Sequence, residues 1–262
     1  MATVAKLSQT RPEYSGWNFR RTGAILKRVL RQLLKDRRFL ALSIAAPLLI
    51  MYLLKVFFDS LGNFAPSRYI VPAGALIIHF ITYILCSIVL VRERKAQTLP
   101  RMLVSGYRRG EIIVGYLAAY TVLATIQTLI VLFELAWIFN LNYDLGKQLS
   151  IYLVNWLLAV ISIALGIFLS NFSENEGQML PTIPLIILPS VFLSGFLINV
   201  DKLPQWAQWL SWLTPLYYAN NVLQSLIKPL GNLGNEWPSL VGLLVYGIIV
   251  LVLATFTLKE QE

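Results

Sequence analysis

Residues Arg92–Glu111 read RERKAQTLPRMLVSGYRRGE, a polar island between two long apolar runs, one ending at Val91 and the other starting at Ile112. The island carries Arg92, Arg94, Lys95, Arg101, Arg108 and Arg109 against only Glu93 and Glu111. It cannot cross a lipid core, because each charge near the bilayer centre costs roughly 2.5–3.5 kcal/mol. Yet Leu99, Met102, Leu103 and Gly106 recur at i, i+3, i+4 and i+7, an apolar or small stripe along a short helix. Pro100 sits near its start, where a missing N–H costs least. Two readings fit: an amphipathic helix shaped to meet a partner on the cytoplasmic side, or a basic loop that only fixes topology.

Outward from the island the chain is apolar. Hydrophobic residues make up 57% of the 262 and mean hydropathy is +0.65, against roughly 45–50% apolar in soluble domains. The excess falls in runs of membrane-spanning length, so the expected class is an all-α, polytopic membrane protein. The net charge of +9 sits beside those runs, which points to topology and anionic lipid heads and away from nucleic acid. Cys86 and His79 are single residues in apolar runs, so neither a disulfide nor a Cys/His metal site is expected. The first apolar run begins near Phe39, too late for a cleavable signal peptide.

Residues Met1–Gly16 are polar and expected to be poorly ordered. From Trp17 to Arg38, Ile25, Leu26, Val29, Leu30, Leu33 and Leu34 line one helical face and cations fill the rest. That pattern predicts an amphipathic helix in the headgroup plane. Residues 1–38 thus form a tail and interfacial helix, and 39–262 a six-span domain. The expected spans are Phe39–Phe58, Tyr69–Val91, Ile112–Phe139, Leu149–Ser170, Met179–Val200 and Ser239–Leu258. Pro181, Pro184 and Pro189 predict that the fifth is kinked or discontinuous. Between spans five and six, about 201–238, Trp206, Trp209, Leu210 and Leu213 share one helical face, Pro215 ends it, and Leu216–Ile227 makes another helix. Trp and Tyr prefer the lipid–water boundary, so this broken pair is expected to dip into the outer leaflet. With both termini in the cytoplasm, seventeen of the 22 Lys and Arg lie inside, a strong positive-inside bias.

Catalytic chemistry is missing. No GxxxxGK[ST] phosphate loop exists, and one histidine in an apolar run supports no hydrolytic triad. Glu134 is the one intramembrane acid of note, with Lys55 at similar depth as an expected partner, and it divides between a structural and a pathway role. Ser43, Thr82, Tyr83, Thr121, Gln127, Asn155, Ser190 and Ser194 are polar within spans. They are candidates for a translocation path, weighed against plain interhelical hydrogen bonds worth around 0.6 kcal/mol on average.

The island and Leu188–Tyr218 together resemble the membrane subunit of type-2 ATP-binding-cassette exporters. That family's coupling helix begins with an acidic-basic-x-x-GT-L stretch followed by a hydrophobic pair and a Pro. Glu93-Arg94-Lys95-Ala96-Gln97-Thr98-Leu99 matches it, with Leu103-Val104 as the pair. Gln97 replaces the usual Gly, Pro100 a common acid and Gly106 the usual Pro. Pro189, Ser194-Gly195, Leu203-Pro204-Gln205-Trp206, Trp209-Leu210, Pro215-Leu216 and Tyr217-Tyr218 follow the second signature, and the acidic turn Asn171–Gln178 also suits the family.

The resemblance implies a half-transporter, and the absence of long soluble domains suits a bacterial plasma membrane. A second permease chain, identical or not, would complete the path, and two separate ATPase subunits would bind ATP and Mg below. The chain itself would bind no cofactor and catalyse nothing. Glu93, Arg94, Thr98, Leu99, Arg101, Met102, Leu103 and Arg108 would couple to the ATPase, with Leu99, Met102 and Leu103 as the buried contact. Arg94, Arg101 and Arg108 would meet acids or lipid phosphate. The cargo implied is a drug, antibiotic, lipid or other amphiphile. A polysaccharide or glycolipid exporter of the same architecture is the alternative, and a scaffold or channel without an ATPase stands behind both.

Overall fold

The structure is a computed structural model that describes residues 18–60, 67–141 and 143–258. The expectations for Met1–Gly16 and the last four residues lie outside them. The described residues are helical, without strands, in the order α1 (Phe19–Lys35), α2 (Arg37–Ser60), α3 (Ser67–Lys95), α4 (Thr98–Val104), α5 (Arg109–Trp137), α6 (Leu145–Ser170), α7 (Glu176–Met179), α8 (Thr182–Leu193), α9 (Gln205–Ser211), α10 (Pro215–Ile227) and α11 (Trp237–Thr257). Six stretches are long and apolar enough to cross a membrane: α2, α3, α5, α6, α7–α8 together, and α11 with the short turn before it.

α3 and α6 form the centre, with about seven-tenths of their apolar windows buried, whereas α2, α11 and above all α8 expose most of theirs. Gly166 lets α3 and α6 close up. A Cβ there would lie 3.0 Å from the Tyr83 carbonyl oxygen and 3.1 Å from Ser87 Oγ. Small residues at such crossings let backbones approach where hydrophobic driving force between helices is absent. Exposed Leu42, Leu49, Leu53 and Phe57 on α2, and Ile248, Ile249 and Phe256 on α11, suit hydrocarbon surroundings.

Several boundaries differ from the sequence pattern. α3 continues past Val91 to Lys95, and α6 starts four residues before Leu149 because Asp144 caps it, accepting from Gly146 N at 3.1 Å. The fifth span is shorter than expected. One turn of α7, a break at Leu180-Pro181 and α8 replace a run to Val200. α8 stops at Ser194-Gly195, where Gly195 adopts φ +79°, a value that favours glycine.

The segment before the last span divides in two. α9 is peripheral, with Trp206, Trp209 and, just past its end, Leu213 each at least 60% exposed. α10 is not a peripheral dip. Leu216, Ala219, Val222, Leu223 and Leu226 are buried against α3, α6 and α11. Its apolar residues recur at three- and four-residue steps, a full stripe that needs a partner surface. Asn220 Nδ2 donates to the Ser194 carbonyl at 2.8 Å and Gln224 Nε2 to the Arg68 carbonyl at 3.0 Å, which fixes α10 to α8 and α3.

Lys55 does not meet Glu134. Its ammonium lies 3.1 Å from Asp59 Oδ2, one turn along the same helix, the pairing that i,i+4 geometry favours. Glu134 is buried, and its carboxyl has no hydrogen-bond partner among the described residues.

Candidate functional site

Four consecutive charges end α3, and helical geometry sends the first three, Arg92, Glu93 and Arg94, about 100° apart. Each therefore meets a different neighbour. Arg92 forks onto Glu176 of α7, Nε to Oε1 at 2.8 Å and Nη2 to Oε2 at 3.1 Å. Glu93, 4% exposed, accepts from Arg28 Nη2 of α1 at 2.5 Å. Arg94 turns to the loop after α6, donating to the Ser170 carbonyl at 2.6 Å, the Ser173 carbonyl at 3.1 Å and Asn171 Oδ1 at 2.7 Å. Asn171 Nδ2 in turn donates to Thr257 Oγ1 and the Ala254 carbonyl at the end of α11. Arg94 is thus occupied within the chain, not held out toward acids elsewhere.

α4 is set by two left-handed residues. Gln97 precedes it at φ +58°, the position where the resemblance expects glycine. Gly106 ends it at φ +84°, with Tyr107 N donating to the Met102 carbonyl at 3.1 Å and Gly106 N to the Leu103 carbonyl at 3.0 Å. This pair of bonds is the Schellman stop. The chain then re-enters a helix at once. Buried Glu111 accepts from Arg108 N at 3.0 Å and from Asn18 N, before α1, at 2.9 Å. Arg21 of α1 donates to the Gly106 carbonyl at 2.7 Å, and Arg28 Nη1 lies 3.0 Å from Met102 Sδ. α4 is therefore held from behind by α1 and α3.

The apolar stripe faces inward. Leu99 and Met102 are buried in the chain's own core, and Leu103 is half-buried against it. The stripe's period foretold burial but not against which surface. The outward face carries Arg101, Ser105 and Val104, the last 89% exposed, with Arg108 exposed beyond it and Thr98 half-buried. Of the residues expected to couple, Arg101, Val104's neighbour Leu103 in part, and Arg108 are accessible, whereas Glu93, Leu99 and Met102 are not.

The polar residues within spans mostly bond inside the bundle. Thr82 Oγ1 donates to Gln127 Oε1 at 3.1 Å, and Gln127 Nε2 donates to the Ser43 carbonyl at 2.9 Å, joining α3, α5 and α2. Thr121, Ser190 and Ser194 bond carbonyls of their own helices. Tyr83 and Asn155 are buried. His79 Nδ1 meets Ser162 Oγ at 2.7 Å, a packed side chain. Ser190 also faces an open space. With Thr214 and Tyr246 it is one of the hydroxyl-bearing residues lining a groove of about 530 Å³ between α8, α9 and α11, whose other residues include Phe192, Trp206 and Leu213.

Arg21, Arg28, Glu111 and Asn171 hold the site together although none is a candidate site residue on sequence alone. Glu111 stands three residues after Arg108, the spacing of a capping acid, which was a usable signal. Arg28 looks like every other cation of its helix until the helix is packed.

Comparison with known proteins agrees with this geometry. The family model described as ABC-2 type transporter matches residues 20–227. The Escherichia coli protein named probable multidrug ABC transporter permease YbhR is 26% identical over 162 residues, 62% of this chain and 44% of that one. ABC transporter G family member 20 of Dictyostelium discoideum is 24% identical over 197 residues, 74% of this chain and 27% of its own. The linearmycin resistance permease protein LnrN of Bacillus subtilis is 25% identical over 138 residues, 53% of this chain and 35% of LnrN. The match spans less than half the length of each relative. With four-fifths of the chain inside the family model and six apolar helices around a short polar-end helix, the chain belongs to the ABC-2 type transporter family.

Proposed function

We propose that the chain is the membrane-spanning part of an ATP-driven exporter of amphiphilic molecules, with drugs and antibiotics as the expected class. In this reading two permease chains, identical or different, meet in the plasma membrane with both termini and α4 in the cytoplasm. Two separate ATPase subunits bind ATP and Mg, and the chain itself catalyses nothing. The observation that carries the reading is Val104, 89% exposed at the tip of a seven-residue helix fixed from behind by Arg21 and Arg28. A lone valine so exposed, ringed by Arg101 and Arg108, suits an apolar socket with an acidic rim. Closure of the ATPase on nucleotide changes the membrane part only if one position of α4 binds the closed form better. Because α4 is bonded to α1 and α3, a push on it reaches the centre of the bundle. The relatives' names, multidrug and linearmycin resistance, support the cargo class. So does the apolar groove, whose size is that of ordinary small-molecule sites.

The test is affinity purification of the tagged chain from native membranes, followed by reconstitution. An ATPase is expected to accompany it, with hydrolysis raised by an amphiphilic drug. A chain that moves such a drug without any nucleotide-hydrolysing companion overturns the proposal.

A further inference from the structure

Pro47 stands inside α2, Pro72 inside α3 and Pro189 inside α8. A proline has no N–H, so each leaves the carbonyl four residues before it without its helical donor. In lipid such a carbonyl is costly unless another group reaches it. At two of these breaks a side-chain amide does so from another helix. Gln127 Nε2 of α5 donates to the Ser43 carbonyl at 2.9 Å, and Gln224 Nε2 of α10 to the Arg68 carbonyl at 3.0 Å. At the third break the freed group is the Leu185 carbonyl, and among the described residues no side chain donates to it.

Helical geometry aims that carbonyl along the axis toward Pro189. Leu185 and Pro189 both line the groove between α8, α9 and α11, so the freed oxygen lies along its wall. Two hydroxyls of the lining have already committed their protons. Ser190 Oγ donates to the Ile186 carbonyl at 2.7 Å and Thr214 Oγ1 to the Ser211 carbonyl at 2.8 Å, which leaves both oxygens as acceptors. The Tyr246 phenol can give as well as take. Among the described residues none that lines the groove is charged. An ionic head entering it would lose its hydration with nothing to replace it.

We propose that this groove holds uncharged apolar molecules that carry a hydroxyl or an N–H, with the Leu185 carbonyl as the acceptor that reads that group. The occupant supplies there what Gln127 and Gln224 supply at the other two breaks, a donor for an oxygen that hydrocarbon leaves bare. An analogue without the donor leaves the oxygen unpaired in the complex, which is how a site rejects it. The proposal rests on the exporter reading for calling the occupant cargo, and it narrows that cargo to neutral, donor-bearing amphiphiles.

The test titrates the full-length chain in phosphatidylcholine nanodiscs, with no ATPase present, against pyrenebutanol and against its methyl ether. Energy transfer from tryptophan to pyrene reports binding, and affinities are taken per mole fraction of probe in the disc so that unequal partitioning cancels. Wild type is expected to favour the alcohol about fivefold, the worth of a single hydrogen bond. Pro189→Ala returns an N–H to the Leu185 carbonyl and is expected to bring the alcohol down to the affinity of the ether, with the ether unchanged. Pro184→Ala keeps the preference, because the Leu180 carbonyl it would serve already accepts from Ile183 N at 3.2 Å. Trp206→Phe, in the groove's lining, lowers the transfer signal. Equal wild-type affinities for the two probes, a Pro189→Ala chain that keeps the preference or loses both probes, or a signal indifferent to Trp206→Phe overturns the proposal. Copurification of an ATPase tests the exporter reading separately, so either can fail while the other stands.

Discussion

Arg94 Nη2 and Asn171 Oδ1 lie 2.7 Å apart, and through that bond the last turn of α3 is joined to the end of α11. The link matters because α4 begins three residues later, so its root is held by helices from both halves of the chain.

Arg94→Met strips the donor from the Ser170 and Ser173 carbonyls as well as from Asn171. Bonds to charged donors contribute about 1.5–3 kcal/mol, and unfolding in mixed micelles is expected to show a loss of that order. Arg94→Lys restores only part of it, since an ammonium lacks the planar fork. Unchanged stability in Arg94→Met would remove the clamp from the account.

Arg28→Met leaves Glu93 buried without its cation. Breaking a fully buried pair costs about 3–5 kcal/mol, and because the Arg28 side chain is 36% exposed a smaller loss, about 2 kcal/mol, is expected. Combining it with Glu93→Leu recovers most of the stability. The double-mutant cycle measures this, and additive single losses would contradict a specific pair.

Gln97 occupies a left-handed conformation that costs an L residue about 1–2 kcal/mol. Gln97→Gly is therefore expected to stabilise by about 1 kcal/mol, and Gly106→Ala, at φ +84°, to destabilise by a similar amount. Thermal unfolding of both variants checks the signs, and a destabilised Gln97→Gly would mean that the side chain makes a contact outweighing the strain.

Gln127→Leu cuts the Thr82–Gln127–Ser43 bridge. Such bonds average about 0.6 kcal/mol in membranes, so a small stability loss and unaltered efflux per folded molecule are expected. Efflux that falls while stability holds would support a place for Gln127 on the translocation path.

Much of the fold is legible in the sequence, because six apolar runs and their flanking cations obey rules local to each run. Depth is not. The leucines of α10 showed their period plainly, but only packing against α6 and α11 reveals that this segment is core while Trp206 and Trp209 stay outside. The same gap divides α4. Leu99 and Met102 announced a buried stripe, and the sequence has no way to say whether the burying surface is the chain or a partner. Gln97 in place of glycine was visible as a departure, and its meaning, a strained φ, appears only in the backbone.

The decisive measurement is ATP hydrolysis by the reconstituted complex as a function of ATPase subunit concentration, for wild type and Val104→Asp. The substitution lies on the outward face and leaves Leu99, Met102 and the α1 contacts untouched. If α4 seats Val104 in the ATPase, about tenfold more subunit, or 1.4 kcal/mol, is needed for half-maximal stimulated hydrolysis. An unchanged titration with a correctly inserted Val104→Asp chain would contradict the claim that α4 is where the two subunits engage.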